Sequence, residues 1–212
     1  NNSGRNIRCS NVRLENGNQS GFRVNVDGAF LSPSDGYQTG NIEVRKGDSV
    51  RVFVEITSPK GNWVEPRHVT DNIVFTLEGG AQQKVNLDAF SWDAVFVRNL
   101  VVSRDTAIAA GRPIVVYGKM LVDEGATLTI DPGVTLYFHA DAGIDVKGRL
   151  LCRGTADNKV VLRGDRLDNM FDYLPYDNVS GQWQGLQLEE TSYGNVIDFT
   201  DIHSTFDGLR VD

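Results

Sequence analysis

The sequence predicts an all-β protein in two parts. An immunoglobulin-like β-sandwich is expected over residues 1–106, and the first coils of a right-handed parallel β-helix over residues 107–212. Three observations carry this expectation. No stretch shows the apolar spacing of an amphipathic helix. The first half alternates apolar and polar residues through strands of ordinary length, with turn residues between them. After about residue 106 the strands shorten, and similar apolar positions recur roughly every 23 residues.

In the first half, "GFRVNV" (21–26) and "DSVRVFVEIT" (48–57) alternate cleanly. So do "NIVFTLEGG" (72–80) and "QQKVNLDAF" (82–90), which Gly79-Gly80 would join as a hairpin because glycine tolerates positive φ. "AVFVRNLVV" (94–102) reads as the last strand of the sandwich. The Cys…Trp…Cys spacing of antibody domains is missing, so only the architecture is expected. Trp63 and Trp92 are read as packing residues rather than a sugar platform.

In the second half three sets of apolar residues follow one another in a fixed order. Leu121, Ile144, Leu186 and Leu209 form the first, Leu128, Leu150 and Ile197 the second, Leu136, Val161 and Ile202 the third. The offsets are 23 (144 − 121 and 209 − 186), 22 (150 − 128) and 25 (161 − 136). Three short strands per period suit a solenoid in which each coil lies on the one before. "VYGKMLVDEG" (116–125) also resembles "VKGRLLCRG" (146–154), a strand–corner–strand unit reused on different faces. In "GATLTIDPGVTLYF" (125–138), Pro132-Gly133 should turn a corner, and the two flanking strands should pair with neighbouring coils rather than with each other.

One stretch breaks the period. "RGDRLDNMFDYLPYDNVSGQW" (163–183) reads as an insertion at a coil corner, folded back over an end or a face. Its aromatics Tyr173, Tyr176 and Trp183 are the candidate ligand-binding residues, since loops leaving a rigid scaffold often carry function. The tripeptide RGD at 163–165 is a chance match at a strand end.

Hydrophobic residues make up 40% of the chain and charged ones 23%, ordinary for a folded domain. No apolar run reaches the ~18 residues of a transmembrane helix. Residues 1–10 are polar, so an exported protein would stand here in mature or trimmed form. The net charge of −7, with Lys and Arg scattered, argues against nucleic acid or anionic lipid as partner. Cys9 and Cys152 fall in different domains and are read as free, buried thiols.

The run "GKMLVDEGATLTIDPGVTLYFHADAGIDVKGRLLCRGTADNKVVLRGD", followed by "GQWQGLQL", resembles a family of bacterial surface proteins. These are outer-membrane lipoproteins with right-handed β-helix repeats of pectate-lyase-like fold. "EGGAQQKVNLDAFSWDA" (78–94) is similar to the leader domain that precedes the helix in them. The resemblance implies an extracytoplasmic protein attached to the outer membrane of a Gram-negative cell. Most members have no established molecular function. Members usually run to many more coils, so the open coil at Asp212 is expected to continue or to dock on a partner.

Pectate-lyase-like helices often cut acidic polysaccharides, and glycoside cleavage needs two opposed carboxylates. Asp198, Asp201, His203 and Asp207 in "DFTDIHSTFD" are the best local candidates. They match no hydrolase spacing and contain no Asp-Asp pair, so they are read as solvated surface groups and no catalytic residue is assigned. Asp141 and Asp145 could contribute to a Ca²⁺ site, but two carboxylates flanking a turn are too few for a cation that wants six or more oxygens. His68, His139 and His203 lack metal spacing. No phosphate loop, dinucleotide fingerprint or Ser-His-Asp arrangement appears, so no cofactor is implied. The expected function is a non-catalytic surface scaffold that engages a glycan or an outer-membrane protein partner. The alternative is a polysaccharide lyase or glycoside hydrolase whose catalytic coils lie beyond residue 212.

Overall fold

The computed structural model describes residues 1–58, 63 and 65–212. It is all-β and forms two compact units, one of residues 1–62 and 66–92, the other of residues 63–65 and 93–212.

The first unit holds β1 (Ile7–Leu14), β2 (Phe22–Val26), β3 (Ala29–Phe30), β4 (Gln38–Thr39), β5 (Ile42–Val44), β6 (Val52–Ile56), β7 (Arg67–Leu77) and β8 (Gln82–Ser91). One antiparallel sheet runs β4-β1-β7-β8 with β5 also on β1, and a second runs β3-β2-β6. Together they are sandwich-like. Val12, Leu14, Val24, Val26, Leu31 and Ile73 share one buried cluster. In β1 a bulge between Cys9 and Asn11 shifts the pleat by one residue, which turns both Cys9 and Val12 inward. Buried Asp71 accepts from the Asn16 and Asn72 amides and the Ser20 hydroxyl, which replaces its lost water. The hairpin expected at Gly79-Gly80 is present, with Gly80 at φ 81° and its N–H on the Leu77 carbonyl.

The second unit holds β9 (Val95–Val102), β10 (Thr106–Ile108), β11 (Ile114–Val122), β12 (Thr127–Ile130), β13 (Thr135–Phe138), β14 (Gly143–Val146), β15 (Arg149–Arg153) and β16 (Val160–Gly164). It continues with β17 (Asn169–Phe171), β18 (Leu174–Pro175), β19 (Gly185–Leu188), β20 (Val196–Asp198), β21 (Thr200–Ile202) and β22 (Leu209–Val211). All but the β17–β18 hairpin pair in parallel, which makes a right-handed-type β-solenoid of about five turns.

Three faces repeat. Face C stacks the first halves of β9 and β11, then β13, β16 and β21. Face A stacks the second halves of β9 and β11, then β14, β19 and β22. Face B stacks β10, β12, β15 and β20. The chain visits them in the order C, A, B, so β12 and β13 belong to different faces and do not pair with each other. Between them Pro132-Gly133 makes the corner: Gly133 sits at φ 79°, the Val134 amide reaches Asp131, and proline precedes, as in a type II turn.

The core is a set of inward columns. Met120, Ile144 and Leu186 line one on face A, Leu128 and Leu150 one on face B, Leu136 and Leu162 one on face C, and all are buried. Each such side chain contributes roughly 1.5–3 kcal/mol of burial. The face A columns end at Leu209 and Val211, which are exposed.

Three sequence expectations need correction. The strand at 94–102 is not the last of the sandwich, because β9 pairs in parallel with β11 and opens the solenoid. The units accordingly divide between Trp92 and Asp93 rather than near residue 106. In register, Met120 rather than Leu121 stacks on Ile144, and Leu162 rather than Val161 stacks on Leu136. Ile197 stacks on Cys152, not on Leu150. In each case two apolar neighbours competed for one inward position, and a one-residue slip exchanges the faces.

Candidate functional site

The insertion leaves at the C-to-A corner of the fourth turn, between β16 and β19. In the first two turns this corner is a bend within one strand, at Asn99 (φ 49°) and Gly118 (φ 68°). A Cβ on Gly118 would lie 2.2 Å from the Asn99 Oδ1, so a side chain there would have to displace the Asn99 amide group while holding a positive φ. In the fourth turn the corner opens and residues 166–180 leave the wall, while Asp165, Gly181 and Gln182 still bond to it through their amides.

The insertion is held by charge. Arg166 forms a two-point ion pair with Asp168, and its guanidinium lies 3.8 Å above the Tyr176 ring. The hydrogen bonds from Arg166 hold the Asp168 carboxyl below its ordinary range, and the same pair pushes Arg166 up. Asp177 then reaches back to the wall, where its Oδ1 lies 2.9 Å from Arg163 and 2.7 Å from the His203 Nε2. The His203 Nδ1 lies 2.9 Å from Asp201. Both ring nitrogens thus face carboxylate oxygens, one from the insertion and one from the wall.

A cavity of about 530 Å³ opens beside these groups, lined by Asp177, Asn178, Ser180, Asp201, His203 and Thr205. A ladder of side chains crosses successive turns of the same solenoid. The Arg98 guanidinium lies 5.1 Å over Tyr117, Tyr117 packs 4.7 Å from His139, and the His139 Nδ1 meets Asp165 at 2.8 Å. Arg163 also lies 5.3 Å over Tyr137, whose hydroxyl burial pushes up in pKa while Arg163 opposes the shift.

The three candidate binding residues have separate fates. Tyr173 is 82% exposed and stacks on Phe171, with centroids 5.7 Å apart, at the β17–β18 hairpin. Tyr176 lies under Arg166. Trp183 is fully buried and stacks on Phe138 at 4.3 Å, donating its Nε1–H to the His203 carbonyl. In the next turn Gly164 pairs with Phe138, and a Cβ there would lie 2.6 Å from the Gln182 Cβ. Trp183 is therefore part of the core and offers no ring to a ligand.

Of the candidate acids, Asp201 and His203 come together, whereas Asp207 pairs with Arg210 and Asp198 extends from the end of β20. Asp145 is taken by Lys119 at 2.9 Å, and Asp141 is exposed. Among the described residues no group of three or more His, Cys, Asp or Glu is arranged to hold a metal. The RGD residues are held in pairs, Arg163 with Asp177 and Asp165 with His139. Both thiols are free and buried.

Sequence reasoning missed Arg163 and Asp177. They face each other only because the insertion doubles back, and no periodicity links residues across an aperiodic loop. No family profile, curated protein or solved structure matches this chain. Among the described residues no helix is long and apolar enough to cross a membrane.

Proposed function

We propose that this protein is a non-catalytic scaffold that binds glycan at an extracytoplasmic surface, attached to the outer membrane of its cell. The observation that carries this reading is the Phe171–Tyr173 pair. Two stacked, exposed rings stand on a hairpin that the Arg166–Asp168 and Asp177–Arg163 pairs hold in place. Large rigid rings presented to water suit stacking against the apolar face of a sugar, and the fixed support lowers the ordering cost of binding. The family resemblance supports the location. Asp177, Asp201, Asp165 and Asp145 each contact an Arg, Lys or His side chain, which fits a structural role for them.

The test is binding of the full chain to a glycan array, repeated with the F171A/Y173A variant. Loss of at least tenfold in affinity, with unchanged melting, is the expected result. Release of reducing ends or unsaturated uronides from any polysaccharide would replace this reading with a lyase or hydrolase.

A further inference from the structure

A different corner carries a second concavity. Between faces A and B the chain turns through residues 123–126 in the second turn, 147–148 in the third and 189–195 in the fourth. The middle corner is the shortest, so it lies recessed between longer neighbours. Turns are spaced about 4.8 Å apart, which places the two walls about 10 Å from each other. The resulting groove has a volume of about 640 Å³.

The floor is fixed by backbone. The Lys147 and Gly148 amides both reach the Val122 carbonyl, and Arg149 reaches Ala126. A Cβ on Gly148 would lie 2.2 Å from the Asp123 and Ala126 carbonyl oxygens, so the corner cannot rise with a side chain there. The fourth-turn wall is fixed as well. Thr191 donates to the Lys147 carbonyl, Ser192 to Gly148, and the Arg149 Nε to Gly194. Asn195 accepts from the Leu150 amide. This wall ends in Tyr193, which is 84% exposed.

The lining is balanced in charge. Lys147 and Arg149 stand on the floor, Glu124 on one wall and Glu190 with Tyr193 on the other. Lys147, Glu124 and Glu190 form no ion pair among the described residues. Fixed donors, fixed acceptors and one exposed ring in a narrow cleft match a ligand rich in hydroxyls. Carboxylates on both walls, and a chain charge of −7, disfavour a polyanion.

We propose that this groove binds one strand of a neutral saccharide. Tyr193 stacks on a sugar ring, Lys147 and the terminal nitrogens of Arg149 donate to its oxygens, and Glu124 and Glu190 accept from its hydroxyls. The inference rests on the glycan-binding reading and assigns it a second site and a ligand class.

The experiment is calorimetric titration of the full chain with neutral hexasaccharides (cello-, manno-, malto- and laminari-series) and with oligogalacturonate. The variants are Y193A, K147Q and, at the insertion, Y173A. A neutral hexasaccharide is expected to bind, with Y193A weakening it at least tenfold and K147Q at least threefold. Binding lost in Y173A but kept in Y193A overturns the groove while the glycan reading stands. Preference for oligogalacturonate, or binding of no hexasaccharide, also overturns it. The array experiment on F171A/Y173A then judges the glycan reading separately. Because Tyr193 and Lys147 are exposed, melting curves of their variants should match the parent, which separates lost binding from lost folding.

Discussion

Replacing Trp183 by alanine tests the placement of this ring in the solenoid core. A buried tryptophan covers about 150–250 Å². At about 25 cal/mol per Å² that is roughly 4–6 kcal/mol, an upper bound because the unfolded chain already hides part of this area. Trp→Ala changes in cores cost about 3–5 kcal/mol, cavity included. The indole also donates to the His203 carbonyl, worth about 1 kcal/mol. A loss of about 4 kcal/mol is expected, a large part of the 5–15 kcal/mol typical of whole domains. W183F keeps a ring against Phe138 and loses the indole N–H, so it should cost about 1–2 kcal/mol. Y173A should stay within about 0.5 kcal/mol of the parent. Urea unfolding followed by circular dichroism measures all three. If W183A lost less than about 1 kcal/mol with an unchanged urea slope, the ring would not be packed as described. One practical consequence concerns binding studies, because joint substitution of Tyr173, Tyr176 and Trp183 would confuse unfolding with lost affinity.

Three further outcomes follow from the same geometry. G148A forces a Cβ against two carbonyl oxygens and should cost about 3 kcal/mol or more, whereas G125A, with open space and φ 78°, should cost about 1–2 kcal/mol; thermal melts giving the reverse order would refute the corner geometry. D177N removes the carboxylate shared by Arg163 and His203, and after discounting for solvent exposure should loosen the insertion by about 1–2 kcal/mol; unchanged hydrogen exchange across 166–180 would contradict its role as the tether. Burial pushes the Cys152 thiol up to about 11 from 9.0, so the folded state holds this proton longer than the unfolded one. The contribution to stability is full below pH 9 and is lost as pH rises through 11; C152A should remove that part of the alkaline decline, and prompt reaction of native Cys152 with a thiol reagent at about pH 8 would refute its burial.

The parallel pairing of the solenoid was legible because its signal is repetition. Leu128 over Leu150 and Ile144 over Leu186 appear in both the spacing and the structure. Registers at Met120–Leu121 and Val161–Leu162 were ambiguous in the sequence, since adjacent apolar residues satisfy either phase of a period of two. Strand β9 misled for a related reason. Alternation reports a half-buried strand but not its partner, and parallel or antiparallel pairing depends on residues far away in the chain. The insertion was located by its break in period, yet its tether was invisible. Arg163, Asp177 and His203 carry no common spacing, and their contact depends on a loop path that no local preference encodes.

The sequence by itself determined the all-β class, the three-faced repeat, the Pro132-Gly133 corner and the Gly79-Gly80 hairpin. All of these rest on local chemistry: alternation, turn residues and repeated apolar side chains. Tertiary structure alone decided which tryptophan is core, where the first turn begins, and how unequal corners leave a groove over Gly148. The physical reason is that burial and concavity are relations between turns stacked on one another. A residue's own type and neighbours leave those relations open until the chain has closed around them.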